Sequence, residues 1–191
     1  SQIPNHMQKK TLILIAGLLI LFGVVVRFVP HDPNMTPITA LAFAASLYLG
    51  RRWAFIIPIT VLLLSDFLIG PYEWSVMLSV YGSFTLIALL GVIAARYRSL
   101  FSTGLLVISS SFIFFLITNA AVWASSPWYE KNVAGLLYSY ELGLPFLRNM
   151  LIGDLLYTAT LVGLFEVCCH VYQRRWRAWS TFGKAPAPLI S

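Results

Sequence analysis

Charged residues are scarce in this chain. Only 10% of its 191 residues are Asp, Glu, Lys or Arg, whereas a soluble domain carries about 25%. Hydrophobic residues make up 59% of the chain. A helix needs about 17–25 apolar residues to cross a bilayer, and apolar runs of this length recur along the whole sequence. The composition leaves no room for a soluble domain and predicts one integral membrane domain.

Residues that bind metals or form disulfides are also rare. The two cysteines, Cys168 and Cys169, are adjacent on an apolar segment and cannot bridge each other in a helix without strain. His170 has no histidine four residues away, so a zinc-binding helix is not predicted. The sequence also lacks a glycine-rich phosphate loop. We therefore expect no catalytic cofactor, no enzyme activity and no nucleotide site within the chain.

The basic residues indicate topology. The formal charge is +6, but Lys and Arg lie in short clusters between apolar runs, which is unlike the continuous basic face of a nucleic-acid-binding protein. Ten of the thirteen fall on one predicted side: Lys9, Lys10, Arg51, Arg52, Arg96, Arg98, Arg174, Arg175, Arg177 and Lys184. The positive-inside rule then predicts an inner (cell) membrane protein with both termini in the cytoplasm.

Hydropathy predicts an all-α protein with six transmembrane helices. The predicted spans are 11–29, 37–50, 53–69, 76–95, 100–124 and 144–172. They form a membrane domain over 8–173, followed by a basic cytoplasmic tail over 174–191, and residues 1–7 are interpreted as a remnant of recombinant expression. Loops 30–36, 70–75 and 125–143 then face outward. In the last of these, the spacing of Val133, Leu136, Leu137 and Tyr140 predicts a short interfacial helix before the final span.

Polar residues inside the spans are the functional candidates, because an ionisable group in a bilayer is costly unless it faces other protein or a cavity. Asp66 in the third span and Arg148 in the sixth are predicted to lie at similar depths and to form a pair. Further polar and aromatic residues map to the same outward end, where apolar walls with a few polar groups are typical of a small-molecule pocket. The predicted ligand-binding residues are His31, Asp32, Asn34, Asp66, Tyr72, Trp74, Tyr81, Asn119, Trp123, Trp128, Arg148 and Asn149.

Two other interpretations of these polar residues stay open. The Asp66–Arg148 pair could serve only to set helix register in a structural or assembly protein. Asp66 and Asp154 could instead be the paired carboxylates of an intramembrane aspartyl hydrolase. The hydrolase motif would require glycine at position 151, where this chain has Leu151.

Small residues line the second span. Ala40 and Ala44, like Ala42 and Ser46, have the four-residue spacing that lets membrane helices approach closely. Either they pack within the bundle or they dock onto a separate membrane subunit, and we predict a docking face at Ala40, Ala42, Ala44 and Ser46.

These features together resemble the substrate-binding S components of energy-coupling factor vitamin transporters. The nearest local likeness is TPITALAFAASLYLGRRWAFIIPITVLLLSDFLIG, residues 36–70, within an architecture that covers 11–173. A departure is the bulky stretch Trp53-Ala54-Phe55, where many such proteins have glycines. The resemblance implies uptake of a vitamin-like molecule, captured in an outward pocket and released inward, with an energy-coupling membrane subunit and ATPases as partners besides the lipid bilayer.

Among S components the chain looks most like the solitary cobalamin-transporting group. The resemblance places Asp66, Tyr81 and Arg148 against the corrin and makes cobalamin the transported ligand. His31 is then the candidate axial ligand of the cobalt, because Cys168 and Cys169 lie toward the cytoplasm. Riboflavin, a thiamine precursor or a queuosine-like base would also suit a tryptophan-rich mouth.

Overall fold

The protein is all-helical over the part of the chain that its structure describes. The computed structural model describes residues 9–70 and 72–182, with side chains as far as Val171. The helices are α1 (Lys9–Phe28), α2 (Ile38–Ala44), α3 (Trp53–Ile69), α4 (Trp74–Tyr97), α5 (Leu100–Ser125) and α6 (Val133–Phe182). The interpretation of residues 1–7, and the part of the predicted basic tail beyond residue 182, lie outside the described residues.

The lengths of the helices support a membrane protein. Four are long and apolar enough to cross a bilayer: α1, α4, α5 and the first part of α6, Val133–Val171. The other two apolar helices are shorter, Ile38–Leu49 and Trp53–Ile69. Large apolar side chains such as Leu14, Leu21 and Phe67 are exposed on the outside of the bundle. These outer surfaces need an apolar surrounding, which confirms the predicted membrane class.

Local capping explains where several helices begin and end. The Glu73 side chain accepts a hydrogen bond from the amide of Val76 at 2.8 Å and one from Ser75, and these bonds hold the pKa of Glu73 below its usual range. At the other end of α4, Arg98 adopts a left-handed conformation with φ of 49°, which makes a tight turn into α5. After α2 the chain continues as a π-helix, Ala45–Leu49, and stops at Gly50, whose φ of 111° suits glycine.

Helix α2 is the centre of the bundle. It packs against α3, α4 and α6, and Ala40, Ala42 and Ala44 are 0% exposed while Ser46 is 5% exposed. Their small side chains admit close neighbours: a Cβ added to Gly91 of α4 would lie 3.3 Å from the carbonyl oxygen of Ala42. The predicted docking face is therefore wrong, and the alternative of packing within the bundle is confirmed.

The interfacial helix predicted before the last span is also wrong, because residues 133–143 are the first turns of one continuous α6. Two hydrogen bonds hold these turns along α5. Ser139 donates to the carbonyl of Asn119 at 3.1 Å, and Tyr140 donates to the carbonyl of Leu116 at 3.1 Å. This lateral packing favours a straight extension over a separate helix lying flat on the membrane. Pro145 sits within the helix on an exposed face.

Candidate functional site

An ion pair joins α1 to α3 near the C-terminal ends of both helices. Arg27 Nη1 lies 2.9 Å from Oδ1 of Asp66, and it also donates to Ser65 Oγ at 2.6 Å. The Asp66 side chain is 8% exposed and that of Arg27 is 19% exposed, so the pair is largely shielded from solvent. The carboxylate therefore has its cation from α1. The predicted partner, Arg148, is exposed on α6, and the expected Asp66–Arg148 pair is wrong.

Two tyrosines complete the surroundings of Asp66. Tyr81 on α4 donates its hydroxyl to Asp66 Oδ2 at 3.1 Å. Tyr72, in the turn before α4, lies 3.4 Å from the same oxygen, which is longer than an ordinary O–H···O bond. One carboxylate thus ties α1, α3, α4 and the α3–α4 turn together.

Replacing Tyr81 with phenylalanine tests this arrangement. The change removes one hydrogen bond to a charged acceptor, and we expect the free energy of unfolding to fall by about 1.5 kcal/mol. Chemical denaturation in mild detergent measures the loss. Tyr97→Phe is the matched control, since Tyr97 lies on the same helix and is 67% exposed. An equal effect of the two substitutions would show that the Tyr81 hydroxyl does not support Asp66.

A cavity of about 360 Å³ opens beside this ion pair. Apolar side chains form most of its wall, and polar groups project from α1, the α1–α2 loop and the α3–α4 turn. The polar lining residues are Arg27, His31, Asn34, Thr36 and Tyr72. The apolar ones are Ile38, Leu62, Ile69, Val80, Phe84, Phe114 and Met150.

The α1–α2 loop forms the rim of the cavity and is held to α6. Met35 packs on Gly153, where an added Cβ would come within 2.8 Å of Met35 Cγ. Asn149 Nδ2 lies 3.4 Å from the carbonyl oxygen of Pro33, and the Met35 amide donates to the carbonyl of Asp32 at 3.0 Å. Asn34 has a left-handed φ of 65°, which this residue type tolerates. The loop therefore covers the bundle between α1 and α6.

The structure brings together some of the predicted ligand-binding residues. His31, Asn34 and Tyr72 line the cavity. Asp66 lies behind its wall in contact with Arg27 and Tyr72, and Tyr81 donates to Asp66. Sequence reasoning did not select Arg27. The available signal was its charge inside the first apolar run, the same signal that selected Asp66.

The remaining predicted residues lie elsewhere. Asn119 donates to its own helix at the carbonyl of Phe115, 2.8 Å away, and Trp123 Nε1 donates to the carbonyl of Glu130 at 2.8 Å. Lys131 stands over the Trp123 ring, 5.8 Å from its centroid. The contacts of Trp123 with Glu130 and Lys131 hold the two ends of the α5–α6 loop together. Among the residues that the structure describes, the following predicted side chains do not line the cavity: Asp32, Trp74, Asn119, Trp123, Trp128, Arg148 and Asn149.

The two buried carboxylates have different partners. Asp66 is bound by Arg27 and the tyrosines, whereas Asp154 accepts a hydrogen bond from Ser111 on α5 at 2.7 Å. A pair of acids sharing one proton needs the two carboxyl groups in contact. No hydrogen bond joins Asp66 to Asp154 in the described ranges, 9–70 and 72–171, so the geometry offers no support for the aspartyl dyad.

Comparison with known proteins gives one match. No curated protein matches the chain, and no solved structure matches it. One family model matches residues 7–179, which is most of the chain. The protein therefore belongs to DUF6580, a family of unknown function.

Proposed function

We propose that this protein takes up a vitamin-like small molecule across the inner membrane. In this proposal six helices cross the bilayer, both termini are cytoplasmic and the cavity opens outward. The observation that carries it is the cavity itself, whose apolar walls and few polar groups are suited to binding an organic ligand. The turns that carry Arg51, Arg52, Arg96 and Arg98 lie at the opposite ends of their helices from the cavity, as the positive-inside rule requires.

The size of the cavity favours a compact ligand. Small-molecule pockets typically have volumes of about 300–1,000 Å³, and the volume of this cavity, about 360 Å³, is near the lower end of that range. A flat vitamin with one to three rings, such as riboflavin, a thiamine precursor or a queuosine-like base, suits this space better than cobalamin. A corrinoid with its nucleotide tail would have to push the α1–α2 loop aside.

Arg27 indicates what such a ligand should carry. Its Nη1 is used by Asp66 and Ser65, and its Nε and Nη2 have no acceptor among the described residues. These N–H groups are available to a carbonyl, carboxylate or ring nitrogen of the ligand. Because the charge of Arg27 is already balanced by Asp66, a neutral ligand with hydrogen-bond acceptors fits as well as an anion.

His31 can contribute a second polar contact. Its Nδ1 lies 2.6 Å from the carbonyl oxygen of Val29, so the neutral ring carries its proton on Nδ1 and presents Nε2 as an acceptor. The same nitrogen would be the one to ligate cobalt if a corrinoid were bound. His31 and Asn34 both lie on the α1–α2 loop that forms the rim of the cavity.

The proposal also includes an energy source for ligand release. An energy-coupling subunit with ATPases would drive release toward the cytoplasm by rocking the bundle or opening its loops. The small residues of α2 are buried, so such a subunit would dock on another surface.

A thermal-shift screen of the purified protein tests the proposal. The panel is cobalamin, cobinamide, riboflavin, thiamine and queuosine, each titrated over a range of concentrations. We expect one compact compound to raise the melting temperature in a concentration-dependent manner. In the double variant His31→Ala, Asn34→Gly, in which glycine keeps the positive φ at position 34, we expect at least tenfold weaker binding, since a loss of about 1.4 kcal/mol gives that factor.

The control lies in the same loop. Asp32→Ala removes an exposed side chain that does not line the cavity, and it should leave binding unchanged. A flat response to all five compounds would contradict uptake and favour the scaffold alternative, for which the Arg27–Asp66 link between α1 and α3 is the supporting observation. Stabilisation by cobalamin alone would overturn the preference for a compact ligand.

A further inference from the structure

A second polar site lies deeper in the bundle, around Asp154 of α6. Its side chain is 1% exposed, and Ser111 Oγ donates to its Oδ2 at 2.7 Å. The hydroxyl of Thr39 on α2 is near the same carboxyl without a formed hydrogen bond. Thr158, one turn further along α6, is 6% exposed, and its hydroxyl has no partner in the described part of the chain.

The helices that enclose Asp154 carry no charge toward it. Within their described bounds, α2 and α5 contain no acidic residue, no basic residue and no histidine. On α6 itself the nearest ionisable groups are Arg148, which is exposed, and Tyr157, whose ring contacts Phe22 edge-on. Arg27 and His31 line the cavity above, with Arg27 already paired to Asp66. A buried carboxylate without a cation is costly, whereas the protonated acid needs only ordinary hydrogen bonds.

The site lies directly beneath the cavity. Met150, which lines the cavity, precedes Asp154 by four residues on α6, about 6 Å along the helix. Phe114 follows Ser111 by three residues on α5, and Ile38 adjoins Thr39 on α2. Each of α2, α5 and α6 thus contributes a lining residue to the cavity. One turn or less further from the cavity, each helix also contributes a polar residue to the Asp154 site.

We propose that Asp154 is a proton-binding site and that its proton exchanges with water in the cavity. With the helices packed as the structure shows them, the carboxyl is protonated, with Ser111 donating to one oxygen and the acid O–H directed to the Thr39 hydroxyl. On release the O–H bond breaks, the proton passes to a water molecule that has entered past Met150, and the carboxylate keeps its bond from Ser111. The site goes beyond the proposed uptake function and does not depend on which ligand the cavity holds.

Infrared spectroscopy of the full-length protein in lipid nanodiscs tests the protonation. At pH 7 we expect a carboxylic-acid C=O band that is lost in Asp154→Asn and retained in the control Asp66→Asn, because the Asp66 carboxylate is paired with the Arg27 guanidinium whereas Asp154 has no cation beside it. Ser111→Ala should move the band to higher frequency, since a hydrogen bond to a carbonyl lowers its stretching frequency. This second variant keeps the test valid if Asp154→Asn does not fold.

Exchange into D₂O tests the route. Met150→Ala should speed the deuterium shift of the band at least threefold, whereas Leu147→Ala should not, because Leu147 is buried on the same helix but does not line the cavity. Absence of the band at pH 7, its survival in Asp154→Asn, or equal exchange in the two alanine variants would overturn the proposal. So would stabilisation by sodium chloride over potassium chloride that disappears in Asp154→Asn, which would identify an alkali-cation site instead.

Discussion

Replacing Arg27 with alanine is expected to lower the free energy of unfolding by about 3 kcal/mol, the lower end of the range for breaking a buried ion pair. The substitution leaves the Asp66 carboxylate buried without a cation and frees the Ser65 hydroxyl from its donor. It also removes the link between α1 and α3. Chemical denaturation in mild detergent, followed by tryptophan fluorescence, measures the change.

Arg148→Ala is the matched control for Arg27→Ala. Both residues are arginines in apolar helices, but the Arg148 side chain is exposed. We expect its removal to change the free energy of unfolding by less than about 0.5 kcal/mol. If Arg148→Ala destabilised the protein as much as Arg27→Ala, then Asp66 would be balanced by Arg148, contrary to the geometry.

Replacing Gly23 with leucine is expected to destabilise the bundle by about 2–3 kcal/mol, as overpacking of a close interface does. An added Cβ at Gly23 would lie 2.6 Å from Leu41 Cδ1 and 2.8 Å from Val61 Cγ2. Helix α1 therefore approaches α2 and α3 closely only because this position has no side chain. The same denaturation assay measures the loss.

The control for this substitution lies on the same helix. A Cβ added to Gly17 meets no atom within 4 Å in the described part of the chain, and this glycine is exposed. We expect Gly17→Leu to leave stability unchanged or to raise it slightly, because leucine is the better helix former. Destabilisation by both variants would locate the effect in α1 itself and not at its interface.

These predictions concern the same end of the molecule as the proposed binding site. Arg27 holds α1 to α3 and also lines the cavity. Its substitution is therefore expected to reduce both stability and binding, and it cannot separate the two. His31→Ala with Asn34→Gly can separate them, because both are exposed loop residues without a structural ion pair and glycine keeps the positive φ of position 34.

The positions of the helices were largely predictable from the sequence. The predicted spans 53–69 and 100–124 agree with Trp53–Ile69 and Leu100–Ser125 to within a residue. Helix limits depend on local properties: the length of an apolar run, a capping residue such as Ser99, and a glycine such as Gly50 that accepts positive φ. The predicted break before the last span failed because hydrogen bonds to α5, which are distant in sequence, hold residues 133–143 in line with α6.

The chain by itself determined a helical membrane protein, the approximate limits of its helices and one end rich in polar and aromatic side chains, because these follow from composition and local hydrophobic runs. Only the tertiary structure decided that Asp66 pairs with Arg27, that the small residues of α2 face the interior and that Asp154 lies beneath the cavity. The physical reason is that each of these depends on which helices are neighbours and how each is rotated about its axis. A one-dimensional pattern gives the depth of a side chain in the bilayer, but it does not give its direction.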